Sequence, residues 1–156
     1  MASVLVLSDS HRRRSYLERA AELFCAGGFS AAVHLGDVTR DAELFCELTG
    51  RPVFNVAGNC DALTPLSPPR ERMEKLGGMR VLLTHGDRYG VKSGLLRLRL
   101  HAQEMGCSLV LFGHTHAACA QEEGGVLLVN PGALADGRYA VVAIEDGRVR
   151  ARLCSF

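Results

Sequence analysis

Five short apolar runs in this chain are each followed by polar residues that can bind a metal ion. Runs of this kind, rich in Val and Leu, are typical of buried strands. In an open α/β sheet the ligand crevice lies beyond the carboxyl ends of the strands, so these polar residues should meet at one edge. The runs cover 3–7, 31–35, 52–56, 79–83 and 109–112, and the polar residues are Asp9, His11, Asp37, Asn59, His85, His114 and His116.

Apolar residues at helical spacing predict three helices between these strands. The first covers 12–26 and ends at a Gly-Gly pair, and the second covers 41–48 and ends before Gly50. The segment 94–106 alternates like a strand over part of its length, but its extent and its good helix formers favour a helix. The first half of the chain is therefore predicted to run β-α-β-α-β.

The remaining segments predict strands and turns. Residues 70–76 and 79–84 flank a Gly-Gly turn typical of a hairpin, and three prolines make 64–69 a surface loop. After residue 108 the pattern is that of strands alone, which we interpret as an antiparallel second half packed face to face on the first. These strands are predicted at 109–112, 117–121, 126–130, 138–144 and 149–153.

Composition restricts the class of protein further. With 156 residues, 47% of them hydrophobic, the chain fits one compact domain over 1–156. Its 18 basic and 17 acidic residues are well mixed, so charge indicates neither nucleic acid nor a membrane surface as a partner. The apolar run at 3–7 is too short for a signal peptide or a membrane span, which predicts a cytoplasmic protein.

Six cysteines occur without any CxxC spacing. This argues against a zinc knuckle or a redox pair. We expect most of them to be small buried hydrophobic residues in a reducing compartment.

The polar residues after the strands form a set with definite metal preferences. Residues two apart in extended backbone point the same way, so Asp9 with His11, and His114 with His116, can each offer two ligands to one cleft. Carboxylate, amide oxygen and imidazole together suit manganese, iron, nickel or zinc better than calcium. Seven ligands exceed what one tetrahedral ion needs and suit two ions that share a carboxylate.

Such a pair of ions predicts a reaction. Two divalent cations exceed the charge of the two carboxylates, so the site would attract a phosphate. Two metal ions can also hold a bridging hydroxide and clamp the oxygens of a phosphate ester for in-line hydrolysis.

In order along the chain, the motifs resemble those of the calcineurin-like metallophosphoesterase superfamily. The resemblance spans nearly the whole chain and is strongest to the small bacterial and archaeal phosphodiesterases. It implies an α/β fold, a four-layer α/β/β/α sandwich of two mixed sheets flanked by helices. The motifs are Asp9-x-His11, Gly36-Asp37, Gly58-Asn59-Cys60-Asp61, His85-Gly86 and Gly113-His114-Thr115-His116.

The resemblance also implies how the ligands divide between two divalent ions. Manganese is the first expectation for both ions, with nickel, iron or zinc as alternatives. Asp37 would bridge the two ions. Asp9, His11 and His116 would bind one ion, and Asn59, His85 and His114 the other.

The chain departs from the wider family at two places. Cys60 stands where many members have a histidine that protonates the leaving group, so we expect esters with good leaving groups to be favoured. Ala133 follows Asn130-Pro131-Gly132 where related chains often have Ser, and we assign no role to that loop.

A few other polar residues are weaker candidates. Asp61 is either a turn-forming residue or one that orients Asn59 or the substrate. Arg12 is a candidate phosphate contact at the start of a helix. Asp87 fits a turn better than a contact to a ligand histidine. His34 and His101 are predicted to lie outside the site.

These observations predict a cytoplasmic phosphodiesterase with two metal ions that hydrolyses small phosphate diesters by attack of a metal-bridging hydroxide. Its candidate catalytic residues are Asn59, Asp61 and Arg12. One alternative is a phosphomonoesterase or nucleotidase on the same site. Another is a non-catalytic scaffold like the retromer subunit of this fold, against which the complete ligand set argues. The oligomeric state is open, and a homo-oligomer is compatible with the sequence.

Overall fold

A computed structural model describes residues 1–156 as ten strands and three α-helices, with 3-10 turns at Asp87–Tyr89 and Leu134–Asp136. The helices are α1 (Arg14–Ala26), α2 (Thr39–Thr49) and α3 (Leu96–Glu104). The strands are β1 (Ala2–Leu7), β2 (Ala31–His34), β3 (Phe54–Asn55), β4 (Glu71–Leu76), β5 (Met79–Thr84), β6 (Leu109–Leu111), β7 (Cys119–Glu123), β8 (Val126–Asn130), β9 (Arg138–Glu145) and β10 (Arg148–Ser155).

The strands form two five-stranded mixed sheets. The first has the order β10-β9-β1-β2-β3, and the second has the order β4-β5-β6-β8-β7. Each contains three neighbouring parallel strands, β1-β2-β3 in one and β5-β6-β8 in the other. The carboxyl ends of these parallel strands are where the predicted metal ligands follow.

The prediction of a purely antiparallel second half is wrong. Strand β6 runs parallel to β5 because α3 crosses between them, as a parallel connection requires. Strands β9 and β10 return to the first sheet, where β9 pairs antiparallel with β1. Strand patterns alone do not specify which sheet a strand joins.

Three apolar clusters fill the spaces between layers. Val6, Val81 and Leu111 belong to the cluster between the two sheets. Helices α1 and α2 cover the outer face of the first sheet, and α3 covers the outer face of the second. The four-layer α/β/β/α sandwich is therefore confirmed.

Most predicted elements occur with shifted ends. Helix α1 begins at Arg14 rather than at residue 12, because His11 and Arg12 have φ of 44° and 63°, outside the helical region. Strand β3 is only two residues long. The Gly77-Gly78 hairpin, helix α3 and the irregular loop at 64–69 are confirmed.

The expectation that most cysteines are buried is wrong. All six are free thiols, but only Cys107 is buried, while Cys25 and Cys60 are exposed. Cys25 lies on the outer face of α1, and Cys60 lies in the turn after β3.

The three helices have between 9 and 13 residues. None of them combines the length and apolarity that a bilayer crossing demands.

Phe24 is the central side chain beneath the helices, and replacing it tests this layer. Its ring stacks on Phe29 and tilts against Phe45, and it is 1% exposed. We expect Phe24→Ala to lower the free energy of unfolding by about 3–5 kcal/mol, because it leaves a cavity in a close-packed layer. Urea denaturation of the metal-free protein measures this. Leu66→Ala, at a 97% exposed position, is the control and should change stability by less than about 0.5 kcal/mol.

Candidate metal centre

The seven predicted ligand residues meet at one edge of the sandwich. The segments after β1, β2 and β3 contribute four of them from the first sheet, and the segments after β5 and β6 contribute three from the second. Parallel strands place their carboxyl ends side by side, so residues far apart in sequence come together. The side-chain contacts form one continuous cluster.

One part of the cluster surrounds Asp9. Its Oδ1 lies 3.1 Å from Nε2 of His116, 3.7 Å from Nε2 of His11 and 3.9 Å from Nε2 of His85. Asp9, His11 and His116 offer ligand atoms that all lie within 4.8 Å of one another. These three residues can hold one metal ion.

The other part surrounds Nε2 of His85. That atom lies 3.0 Å from Oδ1 of Asn59, 3.2 Å from Nδ1 of His114 and 3.4 Å from Oδ2 of Asp37. Asp37 Oδ2 is also 3.7 Å from Nε2 of His11. Asp37 therefore lies between the two parts of the cluster, where a shared ligand would have to be.

The chemistry of this cluster fits a cation. Asp9 is fully buried and Asp37 is 3% exposed, so two carboxylates lie together out of water. Asp9 Oδ1 and His11 Nε2 are buried atoms without a hydrogen-bond partner, since the nearby His116 is not aligned for a hydrogen bond to Asp9. Unpaired buried polar atoms are uncommon and costly, and a metal ion would satisfy both.

The pKa values follow from the same contacts. Burial opposes the charge on Asp37, but bonds from His85 and from the Cys60 amide outweigh it and hold the Asp37 pKa well below its ordinary value. Burial also opposes charge on His85, yet Asp37 and Asp9 raise its pKa. Burial and the neighbouring cations His85 and Lys92 lower the pKa of His114.

A backbone carbonyl sets the tautomer of His85. Nδ1 lies 2.7 Å from the carbonyl oxygen of Leu35, which can only accept, so Nδ1 carries the proton in the neutral ring. The lone pair of Nε2 then faces the cluster. This is the usual second bond of a metal-binding histidine.

Much of the cluster has a strained backbone. Five of the seven predicted ligand residues have positive φ. Such conformations persist where surrounding structure enforces them, and they concentrate at functional sites. The five are Asp9, His11, Asp37, His114 and His116, with φ between 44° and 70°.

Glycines leave room for the two carboxylates. A Cβ at Gly58 would collide with Oδ1 of Asp37, and one at Gly113 would collide with the Ser8 hydroxyl and approach Oδ2 of Asp9. Steric crowding therefore explains why glycine precedes Asn59 and His114 in the sequence motifs.

Two positioning residues were missed by the sequence analysis. The Ser8 hydroxyl donates to Oδ2 of Asp9 at 2.6 Å. Asn130 is fully buried, and its Nδ2 donates at 3.0 Å to the carbonyl of Gly113 and to the Thr115 hydroxyl. The loop to which no role was assigned thus supports the segment that carries His114. The signal was an Asn at the end of an apolar strand.

Asp61 has a larger role than a local turn. Its Oδ2 accepts from the amides of Gly58 and Asp37, and its Oδ1 accepts from the amide of Thr39 at 2.7 Å. This carboxylate joins the segment after β2 to the segment after β3. No hydrogen bond joins Asp61 to the Asn59 side chain, so it acts on the backbone of the site.

The other candidates lie at the margin of the site or beyond it. Arg12 is exposed beside the cluster, and its amide donates to Oδ2 of Asp41. Asp87 pairs with Arg70 at 2.9 Å and contacts no ligand histidine. His34 is buried against the Ser10 hydroxyl, and His101 bonds Glu71, so both lie outside the ligand set.

Comparison with known proteins gives a family. Residues 2–147 match the calcineurin-like phosphoesterase superfamily domain. The chain is 31% identical to the probable metallophosphoesterase YsnB of Bacillus subtilis, over 96% of this chain and 89% of that protein. It is 30% identical to the phosphodiesterase YfcE of Escherichia coli, over 86% and 80% of the two chains.

A solved structure agrees with the fold. The crystal structure of a predicted phosphoesterase from Streptococcus pneumoniae superposes with a TM-score of 0.82 at 27% identity, over 99% of this chain and 89% of that one. With the match over 2–147, the chain therefore belongs to the calcineurin-like phosphoesterase superfamily, as a metal-dependent phosphoesterase.

Proposed function

We propose that this protein is a cytoplasmic phosphodiesterase that uses two divalent metal ions, with manganese as the first expectation, to hydrolyse small phosphate diesters. The observation that carries the proposal is the cluster itself. Seven side chains with metal-binding atoms converge from five strand ends, and two buried carboxylates face the same histidine ring. Six free cysteines suit a reducing compartment.

The chain's own residues provide an environment that favours charged phosphate. Asp9, His11 and His116 would hold one ion, Asn59, His85 and His114 the other, and Asp37 both. Divalent ions supply Lewis acidity that neutralises phosphate oxygens and makes water nucleophilic near neutral pH. Asp9 and Asp37 balance only part of that positive charge.

The leaving group receives little help from acidic side chains. Cys60 lies next to Asn59, and its amide is engaged with Oδ1 of Asp37. Although Cys60 is largely exposed, local desolvation and the nearby Asp37 raise the pKa of its thiol, so it is not an activated thiolate. Diesters whose leaving alcohol is already acidic suit such a site.

Two observations favour this proposal over its rivals. The relative YfcE is named a phosphodiesterase, which favours a diester over a monoester. All seven ligand residues are present, which favours an enzyme over a scaffold that has lost some of them. Both rivals remain outcomes of the following experiment.

The first prediction from this proposal concerns His85, whose Nε2 lies within 4 Å of atoms of Asp9, Asp37, Asn59 and His114. Apo-protein titrated with manganese should hydrolyse bis(4-nitrophenyl) phosphate faster than 4-nitrophenyl phosphate, with turnover saturating near two ions per chain. His85→Ala should lower both metal loading and diester turnover. Turnover should fall by more than about 100-fold, because even the loss of a residue that only hydrogen-bonds to a metal ligand costs up to about 100-fold. His101→Ala is the matched control and should retain both.

Other results of this titration would point elsewhere. Faster monoester turnover would identify a phosphomonoesterase. Stoichiometric metal without turnover on either ester would support the scaffold. Full turnover in metal-loaded His85→Ala would contradict the assignment of that residue.

The second prediction is a pH dependence of metal binding. A metal ligand must be unprotonated, and the pKa of His85 is raised above its ordinary 6.5. Manganese affinity measured by calorimetry should therefore fall as pH decreases through the raised pKa, approaching about tenfold per pH unit below it. Asp37 does not contribute here because its lowered pKa keeps it ionised. Constant affinity from pH 8.5 to pH 6 would contradict this reading.

The third prediction concerns Asp61 as a support of the site. Asp61→Ala removes the acceptor for three backbone N–H groups near Asp37, and we expect manganese affinity to fall about 10–100-fold. Asp87→Ala removes a carboxylate that pairs with Arg70 and should leave affinity unchanged. Equal affinity of both variants would show that Asp61 merely completes a turn.

A further inference from the structure

A groove of about 460 Å³ opens beside the metal centre, on the side of α2. Its lining residues neighbour the ligands along the chain, since Arg12 follows His11 and Cys60 follows Asn59. A diester has two arms, and an arm that leaves the cluster on this side would extend toward the groove. Its lining includes Arg12, Val38, Thr39, Arg40, Glu43 and Asp61.

The groove contains two free guanidinium groups. The arginines that form ion pairs in this protein are Arg14, Arg70 and Arg72, so Arg12 and Arg40 are without a carboxylate partner. Arginine recognises phosphate through several fixed donors. Two unpaired arginines beside a phosphoesterase centre are suited to a second anionic group.

The backbone that carries these arginines is held in place. The amide of Arg12 donates at 2.8 Å to Oδ2 of the buried Asp41, which ties the first loop to α2. Arg12 has φ of 63° and Val38 has φ of 72°, a costly conformation for a β-branched residue. The amide of Thr39 is held by Asp61. The groove wall is therefore shaped before any ligand arrives.

The two acidic residues that line the groove do not offset the positive charge of the arginines equally. Both oxygens of Asp61 already accept backbone N–H groups. Glu43 is exposed and forms no hydrogen bond or ion pair, so it is the one free negative charge at the groove. Its charge should weaken anion binding in the groove. Replacing Glu43 should therefore strengthen anion binding, whereas replacing an arginine should weaken it.

From these contacts we propose that the groove of Arg12 and Arg40 is a subsite for a second phosphate on the substrate. The substrate class is then phosphodiesters that carry an additional phosphate monoester on one arm, as 3′-phosphorylated nucleotide 5′-diesters do. This inference rests on the proposed function, because the subsite selects among diesters cleaved at the metal centre.

The experiment compares two chromogenic substrates that differ by one phosphate. Thymidine 5′-(4-nitrophenyl phosphate) and its 3′-phosphorylated form release the same nitrophenol from the manganese-loaded enzyme. We expect the phosphorylated form to have a kcat/KM about tenfold higher or more, since hydrogen bonds to charged groups are among the stronger ones. High ionic strength should reduce that ratio.

Variants assign the preference to the groove. Arg40→Gln should lower the ratio of the two kcat/KM values about tenfold, and Glu43→Gln should raise it. Arg13→Gln, at an exposed arginine outside the groove, should leave the ratio unchanged. The ratio is internal to each variant, so a general loss of metal or stability does not mimic the effect.

The outcomes separate the two proposals. Equal kcat/KM for both substrates, or a preference that Arg40→Gln and Arg13→Gln alter alike, overturns the subsite while diester hydrolysis stands. Failure to cleave either substrate, with metal bound, overturns the proposed function and the subsite with it.

Discussion

Two buried carboxylates, Asp9 and Asp37, place the strongest demand on this structure. Like charges out of water are unfavourable unless they are hydrogen-bonded or matched by cations. The protein supplies part of what they need, through the Ser8 hydroxyl and the His114 amide at Asp9 and the Cys60 amide at Asp37. A metal ion at the edge of the sandwich would meet the remaining need, which is visible in the unpaired Oδ1 of Asp9.

The strained backbone follows from the same demand. To direct several side chains at one small volume from neighbouring strands, the chain must turn sharply directly after each strand. Left-handed residues produce these turns at Asp9, Asp37 and His114, and glycines precede the last two. Their cost is offset by the packed sheets beneath, whose shared core contains residues of both sheets. The stability of the packed sheets thus maintains the strained backbone turns at their edge.

Sequence predicted the fold and the convergence of the site because both rest on local signals. Short apolar runs followed by polar residues specify the strands and the edge where their carboxyl ends meet, although the parallel pairing of β6 was not foreseen. Sheet membership of β9 and β10 could not be predicted, since strand pairing between distant segments leaves no local pattern. Ser8 and Asn130 were missed for a related reason. Their partners are backbone or side-chain atoms positioned only by the folded chain.

The division of the ligands between the two sheets has a mechanical meaning. Asp9, His11, Asp37 and Asn59 belong to one sheet, and His85, His114 and His116 belong to the other. Ions bound between them would cross-link the two sheets at this edge, so that sliding of one sheet over the other would break coordination. Because a ligand that binds only the folded state stabilises it by mass action, occupancy of the centre and cohesion of the two halves should rise and fall together.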